Sequence, residues 1–271
     1  MTQGSYTFDT FQSEQQQQEL TRLQRKTKIL HTLDRQAWHQ ADLSPGMHAL
    51  DLGCGTGDLT FELAKNLYPG SVVGVDASVE MVNHAVAKQR HHQIDNVQFA
   101  SGSAYELAFP DATFDVVYAR FLLQHLTEPI RALKEAYRVL KPGGRLCIID
   151  VDDSWFSLYP EPDAFKVFRE QVVAIQKSQG GDPHIGRKLS PYCRQAGFKK
   201  VQTTVQILTT DDYGADTLFG LLSFGAPYHA SHPTFAEVAG QAKQQICQQL
   251  RTSHFWASFG IFMTSCCKSE Q

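Results

Sequence analysis

The chain has 271 residues, of which 42% are hydrophobic, 11% aromatic and 20% charged. That balance excludes a disordered, collagen-like or low-complexity polypeptide. With 25 Lys and Arg against 28 Asp and Glu the formal charge is −3, so the chain lacks the overall basic field of a nucleic-acid binder, and no nucleic-acid partner is expected.

No apolar run approaches the roughly 18 residues of a membrane span. The N-terminal MTQGSYTFDTFQSEQQQQ has no basic-then-apolar export pattern, so a cytoplasmic protein without a membrane partner is expected. The six cysteines fit no CxxC or Cys/His spacing. They are expected to be free thiols in a reducing compartment, with no metal site.

Residues 13–41 place Leu20, Leu23, Leu30, Leu33 and Ala37 near one helical face, which makes 1–44 an N-terminal helical segment. Ser44-Pro45-Gly46 breaks the chain before a strand at Met47–Leu52. Strands are then expected at Ser71–Asp76, Val97–Ser101, Phe114–Ala119 and Arg145–Asp150. Between them lie helical stripes, Leu59, Leu63, Ala64 and Leu67 in one, and Met81, Val82, Ala85 and Val86 in the next. A third stripe, Ile130, Leu133, Ala136, Tyr137 and Leu140, ends at Lys141-Pro142-Gly143-Gly144. Short apolar strands alternating with helices imply a doubly wound, mostly parallel α/β sheet.

Beyond Asp150 the rhythm changes. Residues 154–186 mix aromatics with prolines and glycines, a helix is expected at 187–196, and strands at Val201–Leu208 and Gly260–Cys267. These make seven strands. The helical stretch 211–255 reads as a cap inserted before the last strand, on a core formed by 45–210 and 256–271.

The strongest chemical signal is Asp51-Leu52-Gly53-Cys54-Gly55-Thr56-Gly57-Asp58, which leaves a strand and enters a helix. Alternate glycines allow a sharp turn and close approach of a ligand, and the helix N-terminus behind them favours an anionic group. A dinucleotide fingerprint would need Gly at position 58, where Asp stands, and no Gly-Lys-Ser/Thr ending marks a nucleotide P-loop. Asp76 ends the adjacent strand, so its carboxylate reaches the same crevice and can accept hydrogen bonds from ribose hydroxyls.

The runs ALDLGCGTGDLT, VVGVDAS, ASGSAYELAFPDATFDVVYARFLLQHL and VLKPGGRL together resemble class I S-adenosylmethionine-dependent methyltransferases. The likeness is greatest to the broad group acting on small molecules. It covers about residues 45–152, with weaker echoes in GRKLSPYCRQAGF and the final strand. It implies a Rossmann-like seven-stranded fold and S-adenosyl-L-methionine as cofactor.

By the same resemblance, Gly53 and Gly55 would meet the methionine moiety, Asp51 its amino group and Asp76 the ribose. Ala77 and Met81 would line the adenine, and Ser103 and Ala104 its edge. Many relatives carry Asp at the position of Ser103, so that residue departs from the pattern. Ala119 and Arg120 end the fourth strand, where the backbone would return to the methionine end, and Tyr6 lies on a segment of the kind that folds over the cofactor. Alternatives stay open: Asp51 as a turn cap, Met81 as core, Arg120 in a structural ion pair, and His125 as a structural histidine.

Methyl transfer is an in-line displacement in which the sulfonium supplies reactivity and the protein supplies position and dryness. No Asn-Pro-Pro-Tyr/Phe or two-cysteine catalytic motif is present. The acceptor side falls to 1–40, 154–186 and 211–255, whose aromatics and histidines suit a small organic molecule. If a base is used, His125, His229 and His232 are the candidates. The expected function is methylation of an O, N or C nucleophile of a small metabolite. The rival readings are an RNA or protein methyltransferase and a non-catalytic S-adenosylmethionine-binding protein.

Overall fold

The computed structural model describes residues 4–6, 8–221, 233–250 and 254–270. One sheet contains β1 (His48–Leu52), β2 (Ser71–Asp76), β3 (Val97–Ser101), β4 (Phe114–Arg120), β5 (Leu140–Tyr159), β6 (Lys199–Thr209) and β7 (Trp256–Cys267). Their order is β3-β2-β1-β4-β5-β7-β6. The first five run parallel, and β7 is antiparallel to both its neighbours. The chain winds outward from β1 to β3 and then crosses back to β4. The crevice of such a sheet therefore opens at the carboxyl ends of β1 and β4.

The central strands are nearly continuous apolar runs because helices cover both faces. Helices α1 (Ser13–Gln40), α2 (Asp58–Leu67) and α3 (Val79–His92) precede α4 (Pro129–Val139), α5 (Asp163–Ser178) and α6 (Leu189–Gln195). On one face Leu30, Trp38, Leu63, Val72, Tyr118 and Ile149 share a core. On the other, Leu50, Val117, Leu133, Ile148, Leu189 and Phe198 do so. The stripe on α1 thus buries Leu30, Leu33 and Ala37 against the sheet, while Leu20 packs with Phe8, Phe11 and Met81.

Two strands are longer than their apolar runs indicate. β5 continues past Asp150 to Tyr159, and β7 begins at Trp256 rather than Gly260. Pairing shifts register between Val151 and Phe156, then resumes as Phe156–Tyr159 opposite Phe259–Trp256. The polar Asp152-Asp153-Ser154 hides this continuation in the sequence. Within the fold, Arg187 donates two hydrogen bonds to buried Asp152, whose carboxyl is held down at about 2 by these bonds and those from Ser154, against its burial.

The extension carries its own core. Phe156 and Leu158 alternate inward to meet Phe165 and Phe168 of α5, and Phe235 and Ala239 of α9 (Pro233–Gln249). Trp155 and Tyr159, on the opposite face, remain exposed, as a period of two requires. Between β6 and α9, the described residues include the short helices α7 (Thr210–Tyr213) and α8 (Ala215–Phe219). Among the described residues, no helix is long and apolar enough to cross a membrane.

Candidate active site

The glycine turn is fastened to β2 by its backbone. The N–H groups of Gly53 and Cys54 donate to the carbonyl of Val75 at 2.8 and 3.1 Å, and the Gly55 N–H donates to Asp76 Oδ2 at 2.8 Å. Asp76 Oδ1 accepts from the Ser78 N–H at 2.9 Å. Each carboxylate oxygen therefore has one fixed backbone donor and lone-pair capacity left for a ligand. Burial nevertheless raises the Asp76 pKa, with the nearby Asp9 charge adding to it.

The glycines at 55 and 57 do different things. Gly57 has φ +76°, and a Cβ there would lie 2.6 Å from the Phe99 ring, so its bareness lets the turn settle on β3. Gly55 has φ +53°, and no protein atom lies within 4 Å of an added Cβ. That empty position faces a cavity of about 600 Å³, a size suited to a cofactor or small ligand.

Asp51 is buried in the cavity wall and accepts from Thr60 Oγ1 at 2.6 Å. Burial raises its pKa to about 6, against the opposing pull of that hydroxyl and of Arg120. Ala77, Ser103 and Ala104 also line the cavity. Ser103 Oγ accepts from the Tyr105 N–H at 3.2 Å, so its hydroxyl already serves a turn. Met81 is both wall and core, because it is buried against Phe8, Phe11 and Leu20.

Residues 4–11, among those described, run across the cavity. The Ser5 N–H donates to the His125 carbonyl at 2.9 Å, and Ser5 Oγ lies 2.9 Å from His125 Nδ1. Tyr6 donates its hydroxyl to buried Glu19 at 2.8 Å, its ring is 5.3 Å from that of His125, and Asp9 accepts a hydrogen bond from Ser78 Oγ. His125 is pushed down to about 3, first by burial and then by the charges of Lys26 and Arg22. It is therefore neutral at neutral pH and a weak proton acceptor.

Arg120 reaches the cavity with both terminal nitrogens already holding a partner. It donates to Asp34 at 2.7 Å and to Thr27 at 2.7 Å, and Tyr118 donates to the same Asp34 at 2.7 Å. This buried cluster ties α1 to β4. The expectation at Ala119 concerns its backbone; its side chain is not part of the cavity wall. The alternation of β4 turns its methyl group into the core beside Leu52 and Ile148, and Phe121 and Leu122 line the cavity just beyond it. His229 and His232 lie outside the described residues.

Several lining residues escaped the sequence reading. Arg22, Lys26 and Thr27 of α1, Asp9 and Thr10 of the crossing segment, and Phe121 all face the cavity. A signal existed for the helix. Glu19, Arg22, Lys26 and Asp34 interrupt its apolar stripe at three-, four- and eight-residue intervals, and polar residues on a face that packs inward need a partner or a ligand.

Residues 43–197 match the family model described as a methyltransferase domain. A demethylmenaquinone methyltransferase from Lactiplantibacillus plantarum is 36% identical over 181 residues, 62% of this chain and 76% of that protein. The [4+2]-cyclase SpnF superposes with a TM-score of 0.60 at 21% identity, covering 89% of this chain and 82% of that one. A phosphoethanolamine N-methyltransferase 2 of Haemonchus contortus, bound to phosphomonomethylethanolamine and S-adenosylhomocysteine, gives 0.57 at 19% identity, covering 84% and 50%. The two structural likenesses concern the fold alone.

Proposed function

Since the chain belongs to the methyltransferase-domain family and is a class I S-adenosylmethionine-dependent methyltransferase, we propose that it methylates an O, N or C nucleophile of a small organic acceptor. The observation that carries this reading is the single cavity that the glycine turn, Asp51, Asp76 and the crossing N-terminal segment share. A fold that also hosts a cyclase does not by itself define chemistry, so the argument rests on these residues.

The cavity fits the cofactor. Gly55 leaves open the space that any side chain would fill. Asp51 and Asp76 offer carboxylates to an ammonium and to paired hydroxyls, and Ala77, Met81 and Ala104 give an apolar surface for a base. S-adenosylmethionine, when bound, supplies a methyl group activated by its sulfonium. The protein's part is then to position and to exclude water. Gly4 and Tyr6 line one side of the cavity, held there by the bonds of Ser5 to His125 and of Tyr6 to Glu19. Leu122 and Leu126 keep the neighbouring wall apolar.

His125 is neutral and only weakly basic at neutral pH, so it is not assigned as a base. Catalysis is therefore assigned to alignment of the acceptor against the methyl group, which can supply roughly 7–11 kcal/mol of the barrier. A demethylmenaquinone methyltransferase, by its name an enzyme of a small acceptor, is among the similar proteins, which supports the same class here.

The test is a turnover assay over a metabolite panel that reads release of S-adenosylhomocysteine. Acceptor-dependent release by the wild type is expected, with loss in Gly55→Val. Tight cofactor binding without turnover on any small acceptor would instead favour a macromolecular substrate or a non-catalytic role.

A further inference from the structure

Three cationic side chains reach the cavity from α1 and the end of β4. Arg22 donates to Glu19 at 2.7 Å through both Nε and Nη2. Arg120 is bound by Asp34 and Thr27. Lys26 differs: among the described residues it has no carboxylate or hydrogen-bond acceptor within bonding distance. Its Nζ lies 3.4 Å from the centroid of the Phe121 ring, a cation–π contact that replaces only part of the lost hydration.

Its surroundings make the isolation costly. Burial and the like charges of Arg22 and Arg120 push the Lys26 pKa well below its usual range, while Asp150 and Glu19 act more weakly the other way. Phe121 is itself held in a strained conformation at φ +54°, which costs a bulky residue about 1–2 kcal/mol. Its N–H donates to the Ile149 carbonyl at 2.7 Å and fixes it there. Strained backbone and an unpartnered cation at one place in a cavity mark a position built for a ligand.

The strand order says which part of the ligand set this is. Moving along the carboxyl edge from β2 to β1, β4 and β5, one meets Asp76, the glycine turn, Phe121 and Asp150 in succession. Ribose and methionine occupy the first two positions in the methyl-transfer reading. Lys26, over Phe121 and within electrostatic range of Asp150, stands beyond them on the side left for the acceptor.

We propose that the Lys26 ammonium receives an anionic oxygen of the methyl acceptor, either a delocalised enolate or phenolate oxygen or a phosphate oxygen. The inference rests on the methyl-transfer reading and gives its acceptor a charge. The incoming anion supplies a counter-ion that, among the described residues, no carboxylate within bonding distance of Lys26 provides. An enolate or phenolate acceptor, whose ionised group is itself the nucleophile, has no proton for a protein base to remove, which agrees with the weak basicity of His125; a phosphorylated acceptor would reach the site with its nucleophile already deprotonated by solvent.

The experiment uses the full chain saturated with S-adenosylhomocysteine and titrated calorimetrically. The probes are 2-hydroxy-1,4-naphthoquinone (an enolate at neutral pH), O-phosphoethanolamine and inorganic phosphate, with 1,4-naphthoquinone as the uncharged match. At least one anion should bind in preference to the uncharged match. In Lys26→Met its affinity should fall about tenfold or more, the scale of a charge-assisted hydrogen bond, and Lys26→Arg should restore most of it. Enolate binding alone identifies an enol or phenol acceptor, and binding of the two phosphates identifies a phosphorylated one.

Affinity for S-adenosylhomocysteine should stay within about twofold in both variants, since the proposed contact is not to the cofactor. Thermal melting of the complexes checks that each variant is folded. Absence of any anion preference, or anion binding indifferent to Lys26→Met, overturns the proposal. So does a large loss of S-adenosylhomocysteine affinity, which would give Lys26 to the cofactor's carboxylate. Failure of the wild type to bind S-adenosylhomocysteine would overturn the methyl-transfer reading itself.

Discussion

Asp51 and Asp76, at the ends of β1 and β2, are carboxyls raised in pKa by burial, whereas Lys26, on the wall formed by α1 and β4, is an ammonium lowered by the same cause. The two walls also differ in origin. The acidic one comes from a single stretch, Asp51 to Met81, and the basic one from residues 22–27 and 120–126 brought together by the fold. Burial disfavours any lone charge, so each wall is complete only with a ligand group of opposite sign. On the proposed reading, the cavity takes an ammonium and hydroxyls at one end and an anion at the other.

The largest expected effect lies where the basic wall is attached. Burial keeps the Asp34 carboxyl above its usual range despite Arg120 and Tyr118, so the pair contributes little net stability. Breaking it is another matter. Asp34→Ala leaves the Arg120 guanidinium, whose side chain is 12% exposed, without its carboxylate, and should cost roughly 3–5 kcal/mol in denaturant unfolding. A loss below about 1 kcal/mol, the scale of a surface pair, would show that α1 is not tied to β4 through this cluster.

On the acidic wall the strongest change should act on binding rather than folding. Gly55→Val strains a residue at φ +53° but meets no protein atom, so the fold should survive at a cost of about 1–2 kcal/mol. Titration with S-adenosylhomocysteine should show a loss greater than that of any single carboxylate variant. Normal binding by a folded Gly55→Val protein would mean that the cofactor does not approach this turn.

Asp76→Ala should weaken S-adenosylhomocysteine binding by roughly tenfold or more, through loss of charged acceptors for the ribose. Because Asp76 also holds the Gly55 N–H, Asp76→Asn, which keeps one acceptor oxygen, should fall between the wild type and Asp76→Ala. Equal affinities for all three proteins would remove Asp76 from the site.

The smallest effect is a pH dependence. Asp51, raised to about 6, must be ionised to receive an ammonium. Affinity should therefore be full above that value and fall, by up to about tenfold per pH unit, below it. Ligand-free stability moves the other way. The contribution of a carboxyl raised from 3.8 is fully present below 3.8 and is lost as pH rises through about 6. Asp51→Asn should flatten the Asp51 part of both profiles, and an unchanged pH dependence of binding in that variant would place the titration elsewhere.

Legibility in the sequence followed the same division. Gly53, Gly55, Asp51 and Asp76 could be read because a turn between a strand and a helix fixes where consecutive residues go. Ala119 shows the limit within a strand: the end of β4 was found, yet its side chain turns into the core, and Phe121 reaches the cavity just past the strand, where the backbone turns to φ +54°. The continuation of β5 to Tyr159 was hidden by three polar residues that Arg187, distant in sequence, helps to hold within the fold. Arg120 was readable as a cation near the site, but its partner Asp34 lies 86 positions away.

The sequence by itself determined the alternation of strands and helices, the parallel sheet and the glycine turn with its acidic neighbour. Each depends on residues close along the chain, where periodicity and backbone freedom leave few choices. Tertiary structure alone decided that α1 lies against β4, that Arg22 and Arg120 find carboxylates while Lys26, among the described residues, finds an aromatic face, and that Tyr6, Phe8, Asp9 and Thr10 line the cavity. Those outcomes depend on which distant charges can be desolvated together, a balance of burial against pairing that no local pattern records.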